Sequence, residues 1–266
     1  MSAPAGTRRV LVTGGGSGIG RAVAEALLRA GGSVAVAGRR ADRLEAVRAL
    51  APDRVRCLPC DLERPAERDG LLARARDALG GLDGFVHSAG NVVHQPPGHI
   101  EEKALRAQLE VNLVAPLRLG EEALRVLEPG GGVVFVASTL ALRPIRTSAA
   151  YSAAKAGLLA AMASLALEGA SRGVRFNAVA PGIVDTEMIR ALRLAPGEAA
   201  PVGEAAPVGE ARDRRIAAQL EAMRALHPLG RLGAPEEIAD AIVHLLGAPW
   251  TTGATLTIDG GLLLRE

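Results

Sequence analysis

"RRVLVTGGGSGIGRAVAEALLRAG", residues 8–31, carries three local signals in one short run. The apolar, β-branched "RVLVT" (9–13) reads as a buried strand. It runs directly into "TGGGSGIG" (Thr13 to Gly20) and then into a stretch of helical period at 19–30. Gly14, Gly18 and Gly20 follow a G-x-x-x-G-x-G spacing, not the commoner G-x-G-x-x-G. A turn without Cβ atoms lets the backbone approach a pyrophosphate, and the amino terminus of the following helix favours the negative charge. The strand, turn and helix together predict a nucleotide site where the first strand ends.

Outward from this unit the same alternation continues. Short apolar runs at 33–37, 54–58, 84–88, 132–138, 174–180 and 255–259 read as further strands. Helix-like segments at 41–50, 64–79, 100–127, 151–171 and 235–247 separate them. Strands this apolar, joined by helices, predict a seven-stranded parallel sheet flanked by helices on both faces, the doubly wound α/β architecture. Such sheets bind ligands beyond the carboxyl ends of their strands.

Composition narrows the function classes. The 266 residues are 48% hydrophobic, enough for one sizeable core, and read as a single domain over 1–266. The 31 basic and 29 acidic side chains are spread along the chain, so no nucleic-acid face stands out. The first nine residues hold no apolar run, and no stretch of about 18 uninterrupted apolar residues follows. A soluble, cytoplasmic protein with small-molecule partners, and neither a nucleic-acid nor a membrane partner, is expected. "CLPC" (57–60) lies on a strand running into a loop, where neither thiol gains a helix dipole, so Cys57 and Cys60 read as small apolar fillers. His94, His99, His227 and His244 show no ligand spacing, and no metal is expected. The tandem "GEAAPV" repeat at 196–211 reads as an exposed, mobile loop within a substrate-loop insertion at about 186–226.

"AAYSAAK" (149–155) holds the only tyrosine, Tyr151, and one of two lysines, Lys155. Residues four apart share one face of a helix, so both side chains can enter one site. A phenol with an ordinary pKa of about 10 exchanges protons poorly at neutral pH unless a fixed positive charge stabilises its phenolate. Lys155 can supply that charge. Ser138, at the end of the fifth strand, is suited to hydrogen-bond a substrate oxygen as charge develops there.

"TGGGSGIG", Ser138 thirteen residues before Tyr151, and Tyr151-x-x-x-Lys155 together resemble the classical short-chain dehydrogenase/reductase (SDR) family. "HSAG" (87–90), "VN" (111–112), "NAVAPG" (177–182), "PLGRLGAPEEIA" and "IDGG" (228–261) fall in that family's order, so the resemblance covers nearly the whole chain. It implies the Rossmann form of the doubly wound fold and hydride transfer between NAD(P)H and a carbonyl or alcohol. It also implies a tetrad of Asn112, Ser138, Tyr151 and Lys155, in which Asn112 holds a proton-relaying water and Lys155 also binds the nicotinamide ribose.

The resemblance assigns the cofactor to Gly14, Ser17, Gly18, Ile19 and Gly20 in the turn and to Asp61 and Leu62 after the third strand. Ser88, Ala89 and Gly90 follow the fourth strand, and Pro181, Gly182, Ile183 and Thr186 cradle the nicotinamide end. Where NAD enzymes of the family place an acid, this chain has Gly38, followed by Arg39 and Arg40. That change removes repulsion and offers guanidinium groups to a 2′-phosphate, which favours NADP over NAD. Ser17 stands where many NADP members carry a basic residue. The 151–171 helix is apolar on more than one face, and members commonly pair through it, so a homodimer or homotetramer is expected.

By resemblance the substrate pocket draws on Val92, Val93 and His94, on Thr139 to Ile145, and on the segment from Met188 to Met223. Leu140, Leu142, Ile145, Met188, Ile189 and Leu192 make that wall apolar, which suits a hydrophobic ketone or secondary alcohol. Reduction of 3-oxoacyl chains on acyl carrier protein is the alternative within the same chemistry. A catalytically silent nucleotide sensor is the alternative outside it.

Overall fold

Strands buried on both faces need continuous apolar runs, and these become β1 (Arg9–Thr13), β2 (Ser33–Gly38), β3 (Val55–Pro59), β4 (Gly84–His87), β5 (Gly132–Val136), β6 (Arg175–Pro181) and β7 (Thr255–Ile258). The computed structural model describes residues 8–190 and 209–265. Its strands form one sheet in the order β3-β2-β1-β4-β5-β6-β7, and every neighbouring pair is parallel. The chain leaves β3 at one edge and re-enters the sheet beside β1 as β4. That reversal creates the crevice at which sheets of this kind hold ligands.

The helices are α1 (Gly18–Arg29), α2 (Ala41–Arg48), α3 (Pro65–Arg68), α4 (Leu71–Leu79), α5 (Glu102–Leu109), α6 (Ala115–Val126), α7 (Ala149–Ala170), α8 (Glu187–Arg190), α9 (Gly209–Arg224) and α10 (Pro235–Gly247). Successive strand residues face opposite ways, so β1 sends Val10 and Val12 against Leu27 of α1 and Ile242 of α10. Its Leu11 joins the other face with Leu72 of α4, Leu119 of α6 and Leu158 of α7. Cys57 and Cys60 fall on these opposite faces, and burial pushes both thiols up to about 11. They are packing residues, as the sequence suggests.

Beyond shifts of one or two residues at other element ends, the structure departs from the sequence reading in three places. The helix expected over 64–79 breaks into α3 and α4, because Asp69 is extended and Gly70 turns left-handed at φ 75°. The helix expected over 100–127 is interrupted by a π turn at Glu110–Val114. Pro116 explains the interruption: in a regular helix its ring would meet the carbonyl four residues back, that of Asn112. The strand expected to run to Ser138 ends at Val136, and Ser138 caps a 3-10 turn at Thr139–Ala141. The "GEAAPV" repeat and Leu192 lie largely or wholly outside the described residues, and residues 209–211 of the repeat already belong to α9.

By length and composition α7 could cross a membrane. Here one of its faces is built into the sheet through Ala154, Leu158, Met162 and Leu165, and it buries the charged Lys155. At the far edge of the sheet, in the turn before β7, Trp250 is 99% exposed.

Candidate active site

β1 delivers the chain to Gly14, which turns left-handed at φ 68°. A Cβ on Gly14 would lie 2.8 Å from the Ala89 backbone nitrogen, and one on Gly20 would run into the Gly14 carbonyl. Only glycine therefore lets the turn, the exit of β4 and the start of α1 close to contact. Ser17 occupies the position before α1, yet its side chain makes no capping bond and α1 has no acid in its first turn. Its hydroxyl instead accepts from Arg40 Nη2 at 2.9 Å. The positive end of α1 is thus left to an external anion.

These elements wall a cleft of about 300 Å³. Gly14, Ser17, Gly18 and Ile19 form its floor, Arg39 and Arg40 come from the end of β2, and Asp61 and Leu62 follow β3. Ser88, Ala89 and Gly90 follow β4, and Thr186 closes over Gly18, whose Cβ would lie 3.2 Å from the threonine methyl. Gly20, Pro181, Gly182 and Ile183 do not line it. Gly20 supports the turn from behind, Pro181 ends β6, and Gly182 is pressed against Asp259. Ile183, assigned by resemblance to the cofactor, donates its backbone N–H to His227 Nε2 at 3.2 Å. The uncapped helix, the glycine cradle and the guanidinium groups fit a dinucleotide phosphate.

Beside the cleft stands the second group of expected residues. Lys155 is 3% exposed, and its Nζ donates to the Val136 carbonyl at 2.8 Å. Burial lowers its pKa to about 7. The Tyr151 ring lies one helical turn away, its centre 5.7 Å from the ammonium. Ser138 Oγ accepts from the Leu140 N–H at 3.1 Å, and no described residue takes its hydroxyl proton. Asn112 projects from the π turn with its Nδ2 held by the Asn91 carbonyl (2.8 Å), Asn91 Oδ1 (2.8 Å) and the Gln108 carbonyl (2.9 Å). Its buried Oδ1 has no partner among the described residues. A Cβ on Gly90 would lie 3.0 Å from that oxygen and 3.8 Å from Lys155 Nζ. The cleft wall at Gly90 is therefore where both groups converge.

Sequence reasoning passed over three contributors. His87 is fully buried; its Nε2–H donates to the Val111 carbonyl at 3.2 Å, which leaves Nδ1 to accept from the Thr13 hydroxyl at 3.1 Å. It ties β1 and β4 to the π turn that carries Asn112. Burial, then the nearby Lys155 charge, lowers its pKa to about 3, so it is neutral in ordinary buffers. Its place in "HSAG", one residue before Ser88, was the available signal. Arg43 and Glu187 also line the cleft, and only the fold brings α2 and α8 together there.

A parallel sheet of this order with a glycine turn at its reversal point defines a dinucleotide-binding α/β protein. The chain belongs to the short-chain dehydrogenase/reductase family: the family described as short chain dehydrogenase matches residues 8–196. It is similar to carbonyl reductase family member 4 of Xenopus tropicalis, with 31% identity covering 97% of this chain and 99% of that protein. It is equally similar to the 3-oxoacyl-[acyl-carrier-protein] reductase of Escherichia coli, 31% identical over 96% of each chain. Among solved structures, a short-chain dehydrogenase/reductase from Serratia marcescens superposes with a TM-score of 0.81 at 31% identity, covering 98% of this chain and 99% of that one. The family consists of oxidoreductases that use NAD(P).

Proposed function

We propose that the protein is an NADP-dependent carbonyl reductase of hydrophobic ketones, working in reverse on the matching secondary alcohols. The observation that carries this reading is Lys155, an ammonium buried on the Val136 carbonyl with the Tyr151 ring 5.7 Å away, beside a cleft with a glycine cradle. When bound, the nicotinamide cofactor supplies or accepts the hydride. Tyr151 donates its phenolic proton to the carbonyl oxygen during reduction and takes it back during oxidation. The Lys155 charge stabilises the phenolate in between. Ser138 donates a hydrogen bond to the same substrate oxygen and keeps its proton, which steadies the negative charge as it grows there. Asn112 Oδ1 and Lys155 Nζ face one backbone position, Gly90, which supports the water-linked relay that the family resemblance implies.

Preference for NADP is supported by Gly38 at the end of β2 and by Arg39, Arg40 and Arg43 in the cleft wall. Arg40 also covers Ser17 and so brings to the glycine turn the positive charge that residue lacks. An apolar substrate is supported by Val93, Leu142, Ile145 and Met188, each of which leaves at least 41% of its surface exposed. Ala153, Ala156, Ala160 and Leu167 form the outer face of α7, and this exposed apolar face supports pairing of two or four copies. The relative in E. coli makes carrier-linked 3-oxoacyl chains the second reading.

One experiment addresses both. NADPH and NADH oxidation is followed with a panel of ketones and 3-oxoacyl thioesters, using wild type and Tyr151→Phe. Turnover with simple ketones is expected, and the variant should lose about 10²- to 10⁴-fold in kcat while still binding cofactor. Activity confined to carrier-linked thioesters would select the second reading. Wild-type turnover in Tyr151→Phe would remove the acid/base assignment.

A further inference from the structure

The arginine wall of the cleft already holds an anion, and the chain itself supplies it. Arg40 Nη1 lies 3.1 Å from Glu187 Oε2, and Arg43 Nη1 lies 3.1 Å from Glu187 Oε1. One carboxylate thus bridges two guanidinium groups from different elements, with an oxygen for each. Two further acids stand nearby in weaker positions: Glu63 is 3.7 Å from Arg39, and Asp42 is 3.9 Å from Arg43 Nε. Neither bridges two arginines. Glu187 opens α8 immediately after Thr186, which closes over the glycine turn, so the carboxylate is tethered at the cleft rim.

A carboxylate and a phosphate monoester present the same kind of charged, doubly accepting edge to guanidinium groups. We infer that Glu187 is a specificity-determining residue, a built-in competitor for the site that receives the cofactor's 2′-phosphate. NADPH must displace it from Arg40 and Arg43, or share them with it. NADH carries a hydroxyl at that position and leaves the bridge in place. Glu187 therefore narrows the preference for NADPH over NADH that the arginines alone would produce, and couples the first turn of α8 to which cofactor is bound. This rests on the NADP reading of Arg40 given above.

The test measures binding, not turnover. Dissociation constants of NADPH, NADH, adenosine 2′,5′-bisphosphate and AMP are determined for the full-length wild type, Glu187→Gln and Arg40→Ala. Removing an anion that makes two exposed ion pairs should tighten NADPH and the bisphosphate by about three- to tenfold. NADH and AMP should stay within about twofold of wild type, since neither carries the 2′-phosphate that contests Glu187 for both guanidinium groups, and their remaining charges are screened from the bridge by salt. Unchanged or weakened NADPH binding in Glu187→Gln, or equal tightening of NADH, would overturn the inference. Arg40→Ala judges the underlying reading separately. Equal losses for NADPH and NADH in that variant would sink the NADP assignment, whereas a loss confined to the 2′-phosphorylated ligands keeps it and leaves Glu187→Gln to decide.

Discussion

Lys155 places a charge where burial opposes it. Its pKa falls from an ordinary 10.5 to about 7, so between those values the unfolded chain holds a proton that the folded chain does not. Folding stability therefore rises with pH across that window, and the penalty is complete only below about pH 7. Lys155→Met removes the titrating group, so its stability should be flatter over the same range. Urea unfolding of both proteins at a series of pH values checks this, and parallel curves would show that the lysine is not the buried titrating group. On the mechanism proposed above the same titration bears on chemistry, because the Lys155 charge weakens as pH rises through about 7. His87 answers the reverse demand. Its lowered pKa keeps the ring neutral and its two hydrogen bonds intact until the solution is strongly acid.

At the scale of elements, the π turn is the decisive local departure. The Ala115 N–H reaches back five residues to the Glu110 carbonyl, one further than in an α-helix, and the widened turn carries Asn112 with its Oδ1 toward Gly90. Pro116→Ala removes the steric reason for that widening and lets a regular turn compete. The variant should fold, bind NADPH nearly as wild type does, and lose up to about 10²-fold in kcat, since displacing a positioned group by about 1 Å costs that much. An unchanged kcat would show that the turn is held by something other than the proline. Apolar spacing persists through the π turn, so the sequence predicts one continuous helix over 100–127, and Pro116 is the local sign of a break. Strands were easier: Val10, Val12, Val34, Val36 and Val134 are buried on one face of the sheet and Leu11, Ala35 and Val133 on the other, and such continuous apolar runs advertise themselves. The glycine turn and the Tyr151 to Lys155 spacing were equally visible, because each is a local geometric requirement. Arg43 and Glu187 were not, since they stand on α2 and α8 and only the assembled fold brings them together.

Across the whole molecule, contacts of long sequence range join the sheet's periphery to its centre. Arg8 donates to the Leu246 carbonyl at 2.6 Å, and Arg175 donates to the Leu245 and Leu246 carbonyls at 2.9 and 2.7 Å. The carboxyl end of α10 is thereby capped by two guanidinium groups, one from the residue before β1 and one from the first residue of β6, where the helix dipole favours positive charge. Neither arginine's role could be inferred from its own neighbourhood in sequence. Trp250, by contrast, touches almost nothing, and it is the chain's single tryptophan. An indole already in water has little to gain from unfolding, so intrinsic emission should stay red and almost constant through a denaturant transition that circular dichroism records plainly. What would move that emission to the blue is another surface laid over the β7 edge. A concentration series in native buffer thus turns this residue into a reporter of assembly: a blue shift on concentration marks the edge as covered, and a constant spectrum while mass rises assigns the contact to some other face.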